Sequence, residues 1–180
     1  EAATMPLRIR QRRGIDPDEA PQIAAQMRTF AEQFPRDATV LAALAEAEHD
    51  ARNEPASVAA ADRALAINPA EINAHVQKCL ALLAIAGKQP SPKAFKDVRS
   101  AIVALNEIEN DHPVPLLLYY RIYIVQGAAP SPVAVKGLER ATELSPFDLG
   151  LRMTAAMQQL RDGRSADARR NLVPVAYNPH

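Results

Sequence analysis

The sequence has no tryptophan, one cysteine and six glycines, and aromatic residues make up only 4% of it. A single cysteine excludes an internal disulfide and any paired-cysteine metal or redox motif. So few glycines leave no phosphate-cradling loop, and neither GxSxG nor the HExxH spacing that puts two ligands on one helix face occurs. Net charge is also missing: 21 basic residues balance 21 acidic ones, which argues against a nucleic-acid binder, because neutralising phosphates takes a basic domain or stripe. No apolar run approaches the roughly 20 residues that span a bilayer. The N-terminus shows no signal-peptide h-region. These absences imply no cofactor, no metal site, no membrane span and no catalysis within the chain. Its first residue is Glu1 rather than Met, so a processed form or a piece of a longer protein is expected.

What is abundant is alanine, 35 residues by count, which lets helices approach closely through many small contacts. Five prolines, Pro35, Pro69, Pro113, Pro146 and Pro179, each follow an apolar helical stretch at spacings of 34, 44, 33 and 33 residues. A period near 34 marks stacked helical hairpins, none of which can bury its apolar face alone. The expected fold is therefore all-α: a right-handed α-solenoid of antiparallel helix pairs, with about nine helices.

Residues 1–14 read as a basic leader or linker in which Leu7 and Ile9 alternate with arginines, and residues 15–180 as the repeat domain. Asp16 and Pro17 supply a cap and a first-turn proline, with Glu19 completing a capping box. A half-repeat helix is predicted from about Pro17 to Phe34, with the stripe Ile23, Met27, Phe30, Ala31 and Phe34. Four two-helix units follow, at 36–69, 70–113, 114–146 and 147–180. The second holds about ten extra residues, assigned to the Lys88–Ser91 loop and a lengthened helix carrying Phe95, Val98, Ile102, Leu105 and Ile108. Ser91-Pro92 and Ser131-Pro132 read as matching helix starts, Asp162-Gly163 as a turn, and Pro174 as an interruption of the last helix.

These units resemble tetratricopeptide repeats. Leu41, Leu44, Ala45, Ala64 and Pro69 fall on positions 4, 7, 8, 27 and 32 of that pattern in the first unit; Ala134, Leu138, Ala141 and Pro146 fall on 20, 24, 27 and 32 in the third; Ala156, Gly163, Ala168 and Leu172 fall on 8, 15, 20 and 24 in the fourth. The match is divergent. No unit joins an aromatic at position 4 to Gly at 8 and Tyr at 11, and Ser57 stands where a small apolar residue is usual at 20.

The resemblance implies a non-catalytic protein-interaction module that binds a peptide or a partner's helix in a concave groove lined by the first helix (A) of each pair. Groove positions would be Thr39, Ala42, Glu46, His49 and Asp50 in the first unit and Asn73, Val76 and Leu80 in the second. Leu117, Tyr120, Arg121 and Ile124 follow in the third, and Met153, Met157, Leu160 and Arg161 in the fourth. For each, ordinary packing between repeats is the competing reading. Glu46 and Val76 stand at positions where the family's carboxylate-clamp members carry cation or amide side chains, which argues against capture of a C-terminal carboxylate.

Glu46, His49 and Asp50 can share one helix face, as a weak metal or base site or simply a solvated face. Arg161, Arg164, Arg169 and Arg170 concentrate positive charge, read as a solvated face or an anion site. The last helix presents Leu172, Val175, Ala176 and Tyr177 with no polar capping helix after it, so that face is expected to be covered, either by further residues of a longer chain or by another copy in a homo-oligomer, with Leu172, Val175 and Tyr177 as the self-association surface. The alternative function is thus a structural spacer or homodimer domain attached to a separate domain of enzymatic or other activity. The Ala, Arg and Pro bias points to a bacterial source, without deciding between cytoplasm and periplasm.

Overall fold

The computed structural model describes residues 18–177. The leader, the Asp16-Pro17 cap and Pro179 lie outside the described residues. Among those described there are nine helices and no strand. The chain divides into two compact units, one up to Glu109 and one from Asn110.

The first unit contains α1 (Ala20–Gln33), α2 (Ala38–Asp50), α3 (Glu54–Ile67), α4 (Ile72–Lys88) and α5 (Pro92–Ile108). The first of these starts at Ala20, three residues later than the sequence indicates, with Glu19 as a cap residue that makes no side-chain bond. Ile23, Met27 and Ala31 are buried as the period requires. Phe34, expected on the same stripe, is exposed instead, because it has left helical geometry at the C-cap (φ −125°). It stacks on Phe30 with ring centroids 4.8 Å apart.

Asp37 caps α2 by accepting from the backbone N–H groups of Thr39 and Val40 at 2.9 and 3.1 Å. The α2–α3 core is mostly alanine, Ala43, Ala45, Ala60, Ala61 and Ala64 around Leu41 and Leu44. Alanine buries little area per residue. The helices gain from close backbone approach, and Ser57 fits because it is as small as alanine and its hydroxyl donates to the Ala45 carbonyl at 2.7 Å. In α4 and α5 the core enlarges to Cys79, Leu83, Phe95, Val98, Ile102 and Leu105. Burial pushes the Cys79 thiol up to about 12, so it serves as a small apolar side chain. Ile108 is exposed, being the last residue of α5, with no further turn to seat it.

The second unit contains α6 (Pro113–Val125), α7 (Pro132–Leu144), α8 (Leu149–Arg161) and α9 (Ser165–Ala176). Pro35, Pro69 and Pro146 each stand two residues beyond a helix, as expected of stop signals. Pro113 does the opposite. It sits in the first turn of α6, where a missing N–H costs nothing, and the preceding helix has already ended at Ile108. Pro174 does not break α9 either, since it falls in an exposed last turn where water can serve the orphaned carbonyl.

The helices α2, α6 and α8 end in one device. In each, the N–H one residue past the C-cap returns to a carbonyl three residues back and the next N–H to one five back: Arg52 and Asn53, Gly127 and Ala128, Gly163 and Arg164. The device needs a left-handed residue, supplied by Gly127 (φ 65°) and Gly163 (φ 72°) but in α2 by Arg52 (φ 61°). Helix α4 lacks this stop and runs on to Lys88, which together with the 17-residue α5 absorbs the extra length of the second repeat.

Candidate functional site

In the first unit the A helices are α2 and α4, and their predicted site residues are only half-exposed. The Asn73 amide donates to the Glu46 carboxylate at 3.4 Å, and Gln77 donates to the Asn73 carbonyl oxygen at 3.3 Å, so these side chains tie α2 to α4. Val76, Thr39 and Leu80 are half-buried beside them and Ala42 is buried. His49 does not join Glu46 and Asp50. Its Nδ1 lies 2.6 Å from Oε2 of Glu54, at the start of α3. Among the described residues no group of three or more His, Cys, Asp or Glu side chains could hold a metal ion. Burial, reinforced by Glu46, raises the Asp50 carboxyl above the usual carboxylate range.

Two carboxylates unmarked by the sequence analysis organise this corner. Glu48, only 2% exposed, takes a two-pronged grip from Arg28 of α1 at 2.5 and 2.7 Å and a third bond from the Asn53 amide at 2.9 Å. Glu54 is equally buried; Oε2 faces His49, whereas Oε1 has no hydrogen-bond partner and lies 3.7 Å from Nζ of Lys88. Both read in sequence as ordinary surface acids, because Arg28 and Lys88 lie 20 and 34 positions away. No local pattern announces such pairs.

In the second unit the A helices are α6 and α8. Tyr120, predicted to face a ligand, is 3% exposed and belongs to the core with Leu138, Ala141, Leu151 and Ala155. Its hydroxyl donates to Oε1 of Gln158 at 2.9 Å, and Gln158 in turn donates to Asp162 at 2.9 Å. Burial raises the Tyr120 phenol, with Arg161 pulling the other way. Tyr120 is therefore a tie between α6 and α8. Leu117 packs half-buried against the same core. Arg121 and Ile124 are exposed on α6, as are Met153, Met157, Leu160 and Arg161 on α8. The steps Met153, Met157, Leu160 set three large apolar side chains along one face of α8.

Leu160 also borders a small apolar cavity, about 230 Å³, lined by Ala168, Leu172, Val173, Ala176 and Tyr177. In this predicted self-association face Leu172 and Val175 are half-buried, while Tyr177 is 81% exposed. The arginine concentration is partly neutralised: Arg164 pairs with Glu139 and Asp167, and Arg170 with Asp167. The Asp167 carboxyl is held below the usual range chiefly by Arg164. A polar cavity of about 370 Å³ beside them is lined by these residues with Arg152, Gln159 and Asn171, and mixes both signs of charge.

No protein-family model matches the chain, and no curated protein matches it in sequence. Solved structures do match it. A thermophilic TPR protein from Thermus thermophilus is 14% identical and superimposes with a TM-score of 0.73 over 89% of this chain and 86% of its own. MamA from Desulfovibrio magneticus RS-1, residue 41 to the end, is 16% identical, with a TM-score of 0.63 over 94% of this chain and 89% of its own. A further MamA structure, 10% identical, matches 86% of this chain and 85% of its own at 0.63. Helix pairing, repeat period and these superpositions agree: the chain has an all-α, tetratricopeptide-like fold.

Proposed function

We propose that this chain is a non-catalytic protein-interaction module, within a larger bacterial protein, that holds a peptide or a partner's helix against its A helices. One observation carries the reading: Met153, Met157 and Leu160 stand 41%, 48% and 48% exposed in a row along α8. Such a row costs solubility unless something covers it, and methionine adapts to varied partners. The test is affinity capture from the native organism's lysate with the parent chain and with Met153→Glu/Met157→Glu, both confirmed folded by circular dichroism. A partner held by the parent and lost by the variant supports the reading, whereas equal capture by both removes the α8 face from it.

The alternative, a spacer or self-association domain, is favoured by the exposed Val173 of α9 and Tyr177 just after it. It expects oligomers that grow with concentration in light scattering and dissociate in Val173→Glu/Tyr177→Glu.

A further inference from the structure

Charge on the two A helices of the second unit is one-sided. Helices α6 and α8 carry Arg121, Arg152 and Arg161 and not one aspartate or glutamate. Elsewhere in the unit Arg140, Arg164 and Arg170 each have a carboxylate within 4.0 Å, whereas Lys136 on α7 and Arg169 on α9 have none among the described residues. Arg152 turns to the Pro146 carbonyl and the Asn171 side chain, at 2.6 and 3.2 Å. Arg121 and Arg161 remain exposed, with no ion pair to a carboxylate among the described residues, and the guanidinium of Arg161 also shares a hydrogen bond with the Tyr120 hydroxyl. On α8 Arg161 lies four and eight residues after Met157 and Met153 of the apolar row, and on α6 Arg121 lies three residues before the exposed Ile124. The Tyr120 to Gln158 bond ties the two helices together.

Resting on the function proposed above, we infer that the α6–α8 face takes an acidic amphipathic helix, whose apolar stripe lies on the Met153, Met157 and Leu160 row and whose flanking glutamates or aspartates pair with Arg121 and Arg161. Charge complementarity selects this occupant. Guanidinium forks match carboxylates in two-pronged geometry, and an apolar partner that excludes water beside them strengthens the pairs. A basic helix meets two like charges and no compensating acid on either helix. A nucleic acid would leave the methionine row uncovered and finds too few cations there, Arg121, Arg161 and, beside Leu160, Arg169.

The experiment uses the full chain and three labelled synthetic peptides of about 18 residues, five helical turns. One has a leucine stripe flanked by glutamates, one the same stripe flanked by lysines, and one the glutamates with serine replacing leucine. Fluorescence anisotropy at low and high salt reads the affinities. The glutamate–leucine peptide is expected to bind roughly tenfold or more tighter than the lysine–leucine peptide, with the gap narrowing in high salt. The serine peptide is expected to bind weakly. Arg121→Glu/Arg161→Glu, both at exposed positions and checked by circular dichroism, should invert the preference for the two leucine peptides. Equal binding of both leucine peptides, lost in Met157→Glu, overturns the acidic partner while keeping the apolar face. Failure of both to bind overturns the inference, as does concentration-dependent self-association abolished by Arg121→Glu/Arg161→Glu, which would make a second copy the occupant. Undiminished lysate capture by Met153→Glu/Met157→Glu separately removes the α8 face from the function proposed above.

Discussion

The two units use polar side chains in opposite ways. In the first, carboxylates face inward: Glu48 and Glu54 are buried, and Arg28, Asn53, His49 and Lys88 converge on them from neighbouring helices and turns. Its A helices show water a half-buried surface of Glu46 and Asn73, bonded to each other and to the buried Gln77. In the second, the buried polar link is one tyrosine hydroxyl on a glutamine, while Arg121 and Arg161 remain outside without a carboxylate beside the exposed methionines. One hairpin architecture can thus use its charges to join helices or leave them available to a ligand. A buried carboxylate is tolerable only when most of its lone pairs are met, so the cations and the amide around Glu48 and Glu54 are committed to them.

The sharpest test of the contrast is Tyr120. Tyr120→Ala should cost about 4 kcal/mol by emptying a core site, whereas Tyr120→Phe, losing only the bond to Gln158, should cost about 1 kcal/mol. Urea unfolding with hydrogen exchange mapped onto 110–177 measures both, and equal losses would mean that the hydroxyl, not the ring, joins the helices. Next comes Arg28→Met, which leaves the Glu48 carboxylate buried with Asn53 alone. A loss of about 2 kcal/mol is expected in the first unit. Arg164→Ala, removing an exposed pair from the second unit, should leave the unfolding midpoint unchanged. If the two substitutions behave alike, the distinction between inward and outward charge fails.

A smaller effect of opposite sign is expected at Arg52. Its left-handed backbone is the one such residue without glycine among the described residues, so Arg52→Gly should relieve about 1 kcal/mol, read as a higher urea midpoint. The smallest effect concerns pH. The folded Asp50 carboxyl titrates above its unfolded value, so the native state holds that proton more tightly. Its contribution to stability therefore falls as pH rises from the usual carboxylate range through the raised folded value, and stays lower above it. Asp50→Asn should remove that fall. The variant should gain slightly on the parent at neutral pH and match it in acid, in unfolding curves taken across the range.

Helix order and most boundaries were legible because they depend on local chemistry. Ser131-Pro132 opens α7 where expected, Asp148 caps α8, and Gly163 closes it in a left-handed turn. Pro113 was misread, since a proline ends one helix or begins the next by the same missing N–H, and only the actual end of α5 at Ile108 distinguishes the two. Tyr120 was misplaced because an A-helix position near the seam between pairs can face either way, and a long aromatic ring settles inward when a glutamine can take its hydroxyl.

Repeat period, proline and cap signals and alanine-rich faces were enough, by themselves, to indicate an all-helical tetratricopeptide-like fold, because helix starts, stops and apolar faces each rest on residues within a few positions of one another, while Met153, Met157 and Leu160 were named only through the family's groove positions. Tertiary structure alone decided which acids are buried, which arginines stay clear of carboxylates and which tyrosine is a tie. Those outcomes depend on partners tens of residues away, and the cost of burying a charge can be judged only once the neighbouring helix that answers it is in place.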